Sequence, residues 1–211
     1  MKILQYPLGE LQANCYFIIQ GKECLIIDPA DDASFILEEL QRRNLNLIGM
    51  FATHGHFDHI MAAGEIQKSI NLPLYIFEED LFLIDRLVET ADHFLGYKPI
   101  IIKPIHIKFL EERKLHVSRF TFDILHTPGH TPGSCCYYFS TDKVLFTGDT
   151  LFKQGVGRSD HSYSSKKNLI ESIKKICKLP KTTIIYPGHG EELTLSASLC
   201  YQSPWATQES P

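Results

Sequence analysis

The sequence lacks an apolar run long enough to cross a membrane, which needs about 20 consecutive apolar residues. Its first residues, Met1 to Leu4, lead into strand-like alternation rather than into the apolar stretch and small-residue cleavage site of a signal peptide. We therefore expect a protein that is neither exported nor associated with a membrane.

Cysteines with the spacing of a disulfide framework or of a thiolate zinc site are also missing. The six cysteines are scattered through apolar segments, at positions 15, 24, 135, 136, 177 and 200. A disulfide framework or a thiolate zinc site would require a paired spacing. We expect reduced, packed thiols, which are typical of a cytoplasmic protein.

An excess of positive charge is the third absence. The chain has 21 Lys and Arg against 25 Asp and Glu, with a net charge of -4, so it offers no basic field for nucleic acid. Internal repeats and low-complexity segments are missing as well. With 211 residues, 44% of them hydrophobic, the chain is predicted to form one domain over 1–211, with an ordered core of about 1–193 and a short C-terminal tail.

Hydrophobic periodicity predicts an α/β fold. Strands are predicted at 2–7, 15–20, 24–27, 45–51, 74–77, 115–117, 120–125, 135–139, 144–146 and 182–186. Helices are predicted at 35–43, from the end of a His-rich turn to about 70, at 78–87, and from a Ser cap at 164–165 to about 179, with a helical start to the tail at 194. Segment 90–108 reads as a long surface segment that forms either a lid or a pocket wall.

The His-rich turn is the strongest chemical signal in the chain. It follows the apolar strand at 45–51 and reads Thr53-His54-Gly55-His56-Phe57-Asp58-His59. Neutral imidazole nitrogen and carboxylate oxygen are ligands that zinc, iron and manganese accept. His54 and His56 lie two apart on an extended segment and can face one side, whereas Asp58 and His59 are carried into the following helix.

Three further candidate ligands follow later strands, each in a loop rich in glycine. His130 lies in Pro-Gly-His-Thr-Pro-Gly, Asp149 in Thr-Gly-Asp-Thr, and His189 in Pro-Gly-His-Gly. Each alone is a weak signal, because His or Asp in such a loop is usually a turn residue. Together with the His-rich turn they make seven donors, too many for one tetrahedral ion and suitable for two divalent ions with a bridging carboxylate. Zinc is the first expectation, and iron or manganese stay open.

With these motifs in this order, the sequence closely resembles the metallo-beta-lactamase superfamily over nearly its whole length. Asp149-Thr150-Leu151-Phe152, followed by Gly155-Val156-Gly157-Arg158, resembles the glyoxalase II-like branch, that is, hydroxyacylglutathione hydrolases and their relatives. The resemblance implies a four-layer αββα sandwich. It also implies that His54, His56 and His130 hold one metal, that Asp58, His59 and His189 hold the other, and that Asp149 bridges them.

A site of this kind permits two-metal hydrolysis. A hydroxide between ions about 3.5–4 Å apart attacks a carbonyl carbon, with Asp58 and Asp149 as the carboxylates of the catalytic centre. Because a thiolate leaves without much protonation, the expected substrate is a small, anionic acyl thioester. The alternatives are a persulfide dioxygenase-like iron enzyme, a beta-lactamase and a non-enzymatic metal-binding module.

Arg158 is the candidate substrate-binding residue. In the resembling hydrolases a basic residue here contacts a carboxylate of the glutathione portion, and a guanidinium can bind a carboxylate through two parallel hydrogen bonds. The alternative is an ion pair with Asp160 that only stiffens the loop. Full-length relatives add a basic C-terminal helical domain, whereas about twenty residues follow Gly190 here, so glutathione itself stays an open substrate.

The remaining residues with site chemistry are assigned other roles. Asp28, at a strand end, is either a partner that orients a ligand His or a turn former. Cys135 and Cys136 are assigned to the core because neighbours on a strand face opposite ways. Surface or structural roles are expected for the other histidines, with His161 the least certain: His93, His106, His116, His126 and His161.

Overall fold

The first of two large sheets is built from the N-terminal half of the chain. The computed structural model describes residues 1–153 and 155–196. Six strands lie in the order β1-β2-β3-β4-β5-β6: β1 (Lys2–Leu8), β2 (Ala13–Gln20), β3 (Glu23–Ile27), β4 (Asn46–Phe51), β5 (Leu74–Ile76) and β6 (Ile107–Phe109). The first three strands are antiparallel, and β3 to β6 are parallel.

The second sheet is built from the C-terminal half. Its order is β14-β13-β10-β9-β8-β7, with β7 (Lys114–Val117), β8 (Phe120–His126), β9 (Cys135–Phe139), β10 (Val144–Gly148), β13 (Ile184–Pro187) and β14 (Leu193–Thr194). β10 and β13 are parallel, and β9 is antiparallel to both β8 and β10. The carboxyl ends of β8, β10 and β13 therefore meet at one edge of this sheet. A small hairpin, β11 (Leu151–Phe152) and β12 (Gly155–Val156), follows β10.

Helices cover the outer face of each sheet. The helices are α1 (Ala33–Arg42), α2 (Phe57–Ile60), α3 (Ala63–Ser69), α4 (Leu81–Asp85), α5 (Leu87–Leu95) and α6 (Lys166–Ile176), with a 3-10 helix at Glu78–Asp80. One core cluster joins the first sheet to residues of α1, α3 and α5, and another joins the second sheet to Ile176 of α6. The layers are thus helix, sheet, sheet, helix, which is the predicted αββα sandwich.

A third core cluster fills the space between the sheets. At its centre, the ring of Phe51 stacks on Tyr75 of its own sheet and meets Phe122 and Tyr137 of the other sheet edge-on. Phe51 is 1% exposed, and it is the last residue of β4. Because aromatic packing places the end of β4 firmly between the sheets, the His-rich turn that follows leaves this core from a well-defined point.

The prediction for 90–108 is wrong at both ends. Residues to Leu95 belong to α5, which follows α4 directly, and β6 adds an edge strand from Ile107. Leu87 and Ala91 of α5 pack into the first core. In the sequence, the isoleucines and prolines that follow α5 mask its helical periodicity. The helix predicted after the His-rich turn is split into α2 and α3. The tail begins with strand β14 rather than helix, and 197–211 lie outside the described residues.

The described cysteines are mostly as expected. Cys15, Cys24, Cys135 and Cys136 are free and buried, in the core positions assigned to the last two. Cys177 is disulfide-bonded, which corrects the expectation of a reduced thiol there, since spacing along the chain does not reveal which thiols meet in space. Cys200 lies outside the described residues. No described helix is long and apolar enough to span a membrane.

Candidate metal centre

The turn after β4 places four donors within a few ångströms. His54 lies in a bend after the strand, and His56, on extended backbone, is the N-cap of α2. The helix then turns the chain, so that Asp58 and His59 enter the cluster from a second direction. This is the arrangement that the sequence predicts. His54 is 1% exposed and His59 is fully buried, which takes both imidazoles out of bulk water.

The other three donors come from the second sheet. His130 follows β8, Asp149 follows β10 directly, and His189 follows β13. These strands run in the same direction, and their carboxyl ends face the end of β4 across the sandwich. The seven predicted donors therefore meet at one rim of the two sheets, in three overlapping groups that could hold a metal ion.

The first cluster consists of His54, His56 and His130. Nδ1 of His56 lies 3.0 Å from Nε2 of His54 and 3.0 Å from Nε2 of His130. Two nitrogens bound at 2.0–2.1 Å to one tetrahedral ion would be about 3.3 Å apart. The three nitrogens are thus spaced as one face of a small coordination sphere.

The second cluster consists of Asp58, His59 and His189. Oδ2 of Asp58 lies 3.6 Å from Nε2 of His59 and 3.3 Å from Nε2 of His189. Asp149 lies between the clusters, with Oδ1 3.4 Å from Nε2 of His59 and Oδ2 3.5 Å from Nε2 of His130. One oxygen of this carboxylate faces each cluster, as a bridging ligand requires.

Hydrogen bonds on the outer nitrogens determine which imidazole nitrogen faces the centre. Nδ1 of His130 can only donate to the carbonyl of Arg158, at 2.9 Å, and this leaves the lone pair on Nε2. Nδ1 of His59 donates to Oδ2 of Asp28 at 2.9 Å. The Thr53 hydroxyl donates to the same carboxylate, so it accepts from Nδ1 of His54. In all three rings Nε2 faces the centre, where it can bind a cation once it carries no proton.

Asp28 is therefore the orienting partner that the sequence allowed. Its two oxygens accept from the backbone N–H and the hydroxyl of Thr53 as well as from His59. It lies at the end of β3, fully inside the fold, with a left-handed φ of 53° that Asp tolerates better than most residues. A carboxylate behind an imidazole sets the tautomer and raises the basicity of the ligand nitrogen.

The two clusters differ in charge. Burial lowers the pKa of His54 well below its usual value and that of His56 to about 3, so both rings are neutral. For His59, burial acts to lower the pKa, but the nearby charges of Asp58 and Asp149 have the larger effect. The net pKa of His59 therefore lies well above its usual value. For Asp149, burial acts to raise the pKa, but the charge of His59 has the larger effect, so the net pKa of Asp149 is lowered. A bound cation would replace the proton that these carboxylates hold on His59.

Two buried atoms at the centre have no hydrogen-bond partner among the described residues. They are Nε2 of His59 and Oδ1 of Asp149, which lie 3.4 Å apart. Leaving such atoms unsatisfied inside a protein costs about 1–3 kcal/mol each. Because both are good ligands for a divalent ion, the residues present fit a metal at this position.

A cavity of about 130 Å³ opens above the clusters. Its lining is Leu11, His56, Phe57, Asp58, Thr90, Phe94, His130, Asp149, Arg158 and His161. Thr90 and Phe94 belong to α5, so the part of segment 90–108 that is helical forms a wall of the cavity. Arg158 faces the cavity and also forms a two-pronged ion pair with Asp160, with both contacts at 3.0 Å.

Two residues of the cavity region were not selected from the sequence. His161, expected to be on the surface or structural, has its ring 5.5 Å from that of His56 and stacks on Tyr163. The hydroxyl of Tyr163 lies 2.9 Å from Nε2 of His56. Both follow the Arg158 loop, and that proximity in sequence was the only signal. The other four histidines lie outside the clusters: His93, His106, His116 and His126.

The His189 loop is held by the first sheet. The Tyr16 hydroxyl donates to the carbonyl of Pro187 at 2.6 Å. The buried amide of Asn14 donates to the carbonyls of Pro187 and Gly190, both at 3.0 Å. Sequence patterns gave no sign of these contacts because the partners lie more than 170 positions apart.

Comparisons with known proteins agree with this architecture. Residues 8–189 match the Metallo-beta-lactamase superfamily. A probable metallo-hydrolase, YqgX, of Bacillus subtilis is 34% identical over 91% of this chain and 92% of its own length. Hydroxyacylglutathione hydrolase GloC of Haemophilus influenzae is 35% identical over 92% of this chain and 93% of its own.

Two solved structures share both fold and sequence with the chain. The BLEG-1 B3 metallo-beta-lactamase has a TM-score of 0.88 and 34% identity, covering 98% of this chain and all of its own. TTHA1623 in a di-iron-bound form has a TM-score of 0.84 and 34% identity, covering 91% of this chain and 94% of its own. ETHE1 from Myxococcus xanthus shares the fold. It has a TM-score of 0.76 and 22% identity, covering 98% of this chain and 85% of its own. Its motifs, its αββα layers and these matches show that the chain belongs to the metallo-beta-lactamase superfamily, whose members are typically metal-dependent hydrolases.

Proposed function

We propose that the chain is a binuclear metallohydrolase. His54, His56 and His130 hold the first ion, Asp58, His59 and His189 hold the second, and Asp149 bridges them. The observation that carries this proposal is the set of inward-facing Nε2 atoms of His54, His59 and His130, each ring held in its orientation by an outer hydrogen bond on Nδ1. Zinc is the first candidate, and the di-iron form of a 34% identical protein supports iron as the second.

When bound, two such ions lower the pKa of a shared water and polarise a substrate carbonyl. The protein supplies the rest of the site. Asp58 and Asp149 contribute the negative charge that keeps both cations in place. Hydrogen bonds to Thr53, Asp28 and the Arg158 carbonyl keep the ligand imidazoles from rotating. The arrangement of the metal ligands is therefore preserved from one turnover to the next.

We propose a small acyl thioester, with an anionic group on one side, as the substrate. A thiolate leaves without a proton, and apart from the seven donors the described lining of the cavity offers only one further imidazole, His161. The apolar walls, Leu11 and Phe94, suit the acyl or thiol chain, and the presence of Arg158 in the cavity lining supports a carboxylate on the substrate. The relative named as a hydroxyacylglutathione hydrolase supports this substrate class.

Beta-lactam hydrolysis is the second candidate, because a structure titled as a B3 metallo-beta-lactamase is 34% identical over almost the whole chain. The same clusters could act on an amide carbonyl in a strained ring. The persulfide dioxygenase alternative needs a single iron, and the seven donors provide for two ions.

Three assays on the metal-loaded protein separate these functions. Thiol release from lactoylglutathione and from a neutral thioester tests the thioesterase proposal, a chromogenic cephalosporin tests the lactamase, and oxygen uptake with glutathione persulfide tests the dioxygenase. Elemental analysis on the same sample should give close to two transition-metal ions per chain. Metal at background level, or no thiol release with two ions bound, would contradict the proposal.

We further propose a small-molecule enzyme that acts in the cytoplasm without nucleic acid or membrane partners. The net charge of -4 supports the absence of a nucleic-acid partner, since a phosphate backbone would be repelled. Fractionation of cells that carry the tagged protein would test its location.

A further inference from the structure

Asp80 is a buried carboxylate that the proposed metal chemistry does not use. It ends the 3-10 helix after β5 and is 0% exposed, yet it lies outside the three groups of candidate ligands. Placing an ionised carboxylate inside a protein is costly unless hydrogen bonds compensate for the lost water. Its position therefore requires an explanation in terms of its partners.

The partners of Asp80 all lie in the two loops that carry the first cluster. Oδ2 accepts from the backbone N–H of Gly55 at 2.8 Å and from the hydroxyl of Thr131 at 2.7 Å. Oδ1 accepts from the backbone N–H of Gly133 at 2.7 Å. Gly55 separates His54 from His56, and Thr131 directly follows His130. One carboxylate thus joins the His-rich turn of the first sheet to the His130 loop of the second.

Gly55 and Gly133 allow the two loops to approach Asp80 closely. A Cβ on Gly133 would lie 2.7 Å from the carboxyl carbon of Asp80, and one on Gly55 would lie 3.0–3.1 Å from the backbone and Cβ of Asp80. Any side chain at Gly133 would push the loop away from the carboxylate. The close approach therefore depends on glycine in both loops, and it explains these glycines better than turn geometry does, since neither has a positive φ.

An acceptor-only group is needed here. Three donors converge on the two oxygens, and an ionised carboxylate can accept all of them, whereas an amide would aim its own N–H at one of the donors. The loop on the second sheet is tightened further because Thr131 and Ser134 share a hydrogen bond of 2.7 Å. Asp28 joins Thr53 to His59 in a comparable way, but its hydrogen bonds do not reach the His130 loop.

We infer that Asp80 is a positioning residue, which holds His56 and His130 at the separation that the first metal site requires. Asp28, by contrast, contacts His59 of the second site directly and reaches His54 of the first site through Thr53. This inference rests on the proposed binuclear site. It predicts that the two sites respond differently to mutation of two similar buried carboxylates.

The test compares Asp80→Asn with Asp28→Asn in the full chain loaded with two zinc ions. Stepwise dissociation constants are measured by competition with a chromophoric chelator. Cobalt-substituted samples identify the site affected through the shifted imidazole proton resonances. For Asp80→Asn we expect affinity at the three-histidine site to fall about 10- to 100-fold, with the second site within about threefold of wild type. Asp28→Asn should weaken the second site through His59 and also the first site through Thr53 and His54, so that its losses fall on both sites.

Thr131→Val serves as the milder variant if Asp80→Asn does not fold. It removes one of the three donors and should weaken the same site severalfold. In chelator-treated protein, the Gly55 and Gly133 amides should exchange with solvent faster in Asp80→Asn than in wild type, which tests the contact without metal.

Three results would overturn the inference. The first is unchanged metal affinity at the three-histidine site in both Asp80→Asn and Thr131→Val, which would contradict the role of Asp80 but not the proposed binuclear site. Equal loss at both sites, in proportion to a lower melting temperature, would show a general structural role. If the wild type itself binds no metal, the proposed function fails first, and the inference fails with it.

Discussion

The first cluster and the second cluster are built from the same rim of the fold but from different chemistry. The first has three imidazoles, two of which burial keeps neutral. The second combines two imidazoles with Asp58 and shares Asp149, and its carboxylates raise the pKa of His59. In the first, His54 and His130 are buried and His56 is half-buried, whereas in the second the side chain of His189 is 31% exposed. A neutral, enclosed site and a charged, more open site therefore lie side by side.

The difference also extends to what holds each cluster in place. The first depends on Asp80 and on the Tyr163 hydroxyl, and its residues come from both sheets. The second depends on Asp28 for His59 and on the Tyr16 and Asn14 contacts for the His189 loop. The supports overlap only where Asp28 also reaches His54 through Thr53. We therefore expect perturbations elsewhere to affect one cluster at a time, except at Asp149, which both clusters share.

Asp149→Ala should have the largest effect, because it removes that shared residue. We expect metal content to fall toward background and kcat/KM to fall about a thousandfold or more, which corresponds to about 4 kcal/mol of transition-state stabilisation. Elemental analysis and steady-state kinetics measure both. Full retention of two ions would show that the carboxylate does not bridge.

His56→Ala and His189→Ala should each remove one cluster. We expect about one ion per chain in either variant and a loss of activity of at least about a hundredfold, since both ions share the work on the substrate. His116→Ala, whose ring bonds to Thr121 on the surface, is the matched control and should keep two ions. A variant that loses both ions at once would break the proposed independence of the clusters.

Arg158→Ala should alter substrate choice and leave both clusters loaded. If the guanidinium exchanges Asp160 for a substrate carboxylate, kcat/KM for an anionic thioester should fall about 10- to 100-fold, or about 1.4–2.8 kcal/mol, with a neutral thioester little affected. Arg119→Ala, which breaks an exposed pair with Glu23, is the control. Equal losses on both substrates, together with a lower melting temperature, would assign Arg158 to the scaffold.

Glu39→Gln should have the smallest effect and leave both clusters untouched. Glu39 accepts from the Tyr6 hydroxyl at 2.7 Å and pairs with Arg42 and Arg43, and these contacts lower its pKa from 4.5 to about 2. A lowered pKa in the folded state stabilises the protein above pH 4.5, and this contribution is lost as the pH falls toward 2.

We therefore expect Glu39→Gln to lower the free energy of unfolding by about 1 kcal/mol at pH 7, a value reduced for the exposure of Arg42. The difference from wild type should shrink between pH 4.5 and pH 3. Urea unfolding at several pH values measures it. A difference that does not depend on pH would show that the ion pairs contribute nothing.

The candidate ligands could be recognised from sequence because each follows a strand directly. His54, His130, Asp149 and His189 lie just beyond β4, β8, β10 and β13, and the strand signals that locate them are local. Periodicity of two, glycine-rich loops and a His-rich turn need no tertiary information. The errors occurred where local signals compete, as at α5, where the isoleucine-rich segment that follows obscured the helix.

The sequence by itself thus identified the seven candidate donors and the order in which the chain supplies them, and its resemblance to the superfamily implied the αββα layering. Only the tertiary structure decided which atoms face each other: the tautomers set by Asp28, Thr53 and the Arg158 carbonyl, and the link through Asp80. The placing of His161 and Tyr163 at the cavity was decided there too. The physical reason is that a hydrogen bond depends on distances of about 3 Å and on angle, and these are set by how the two sheets pack, which separations along the chain do not encode.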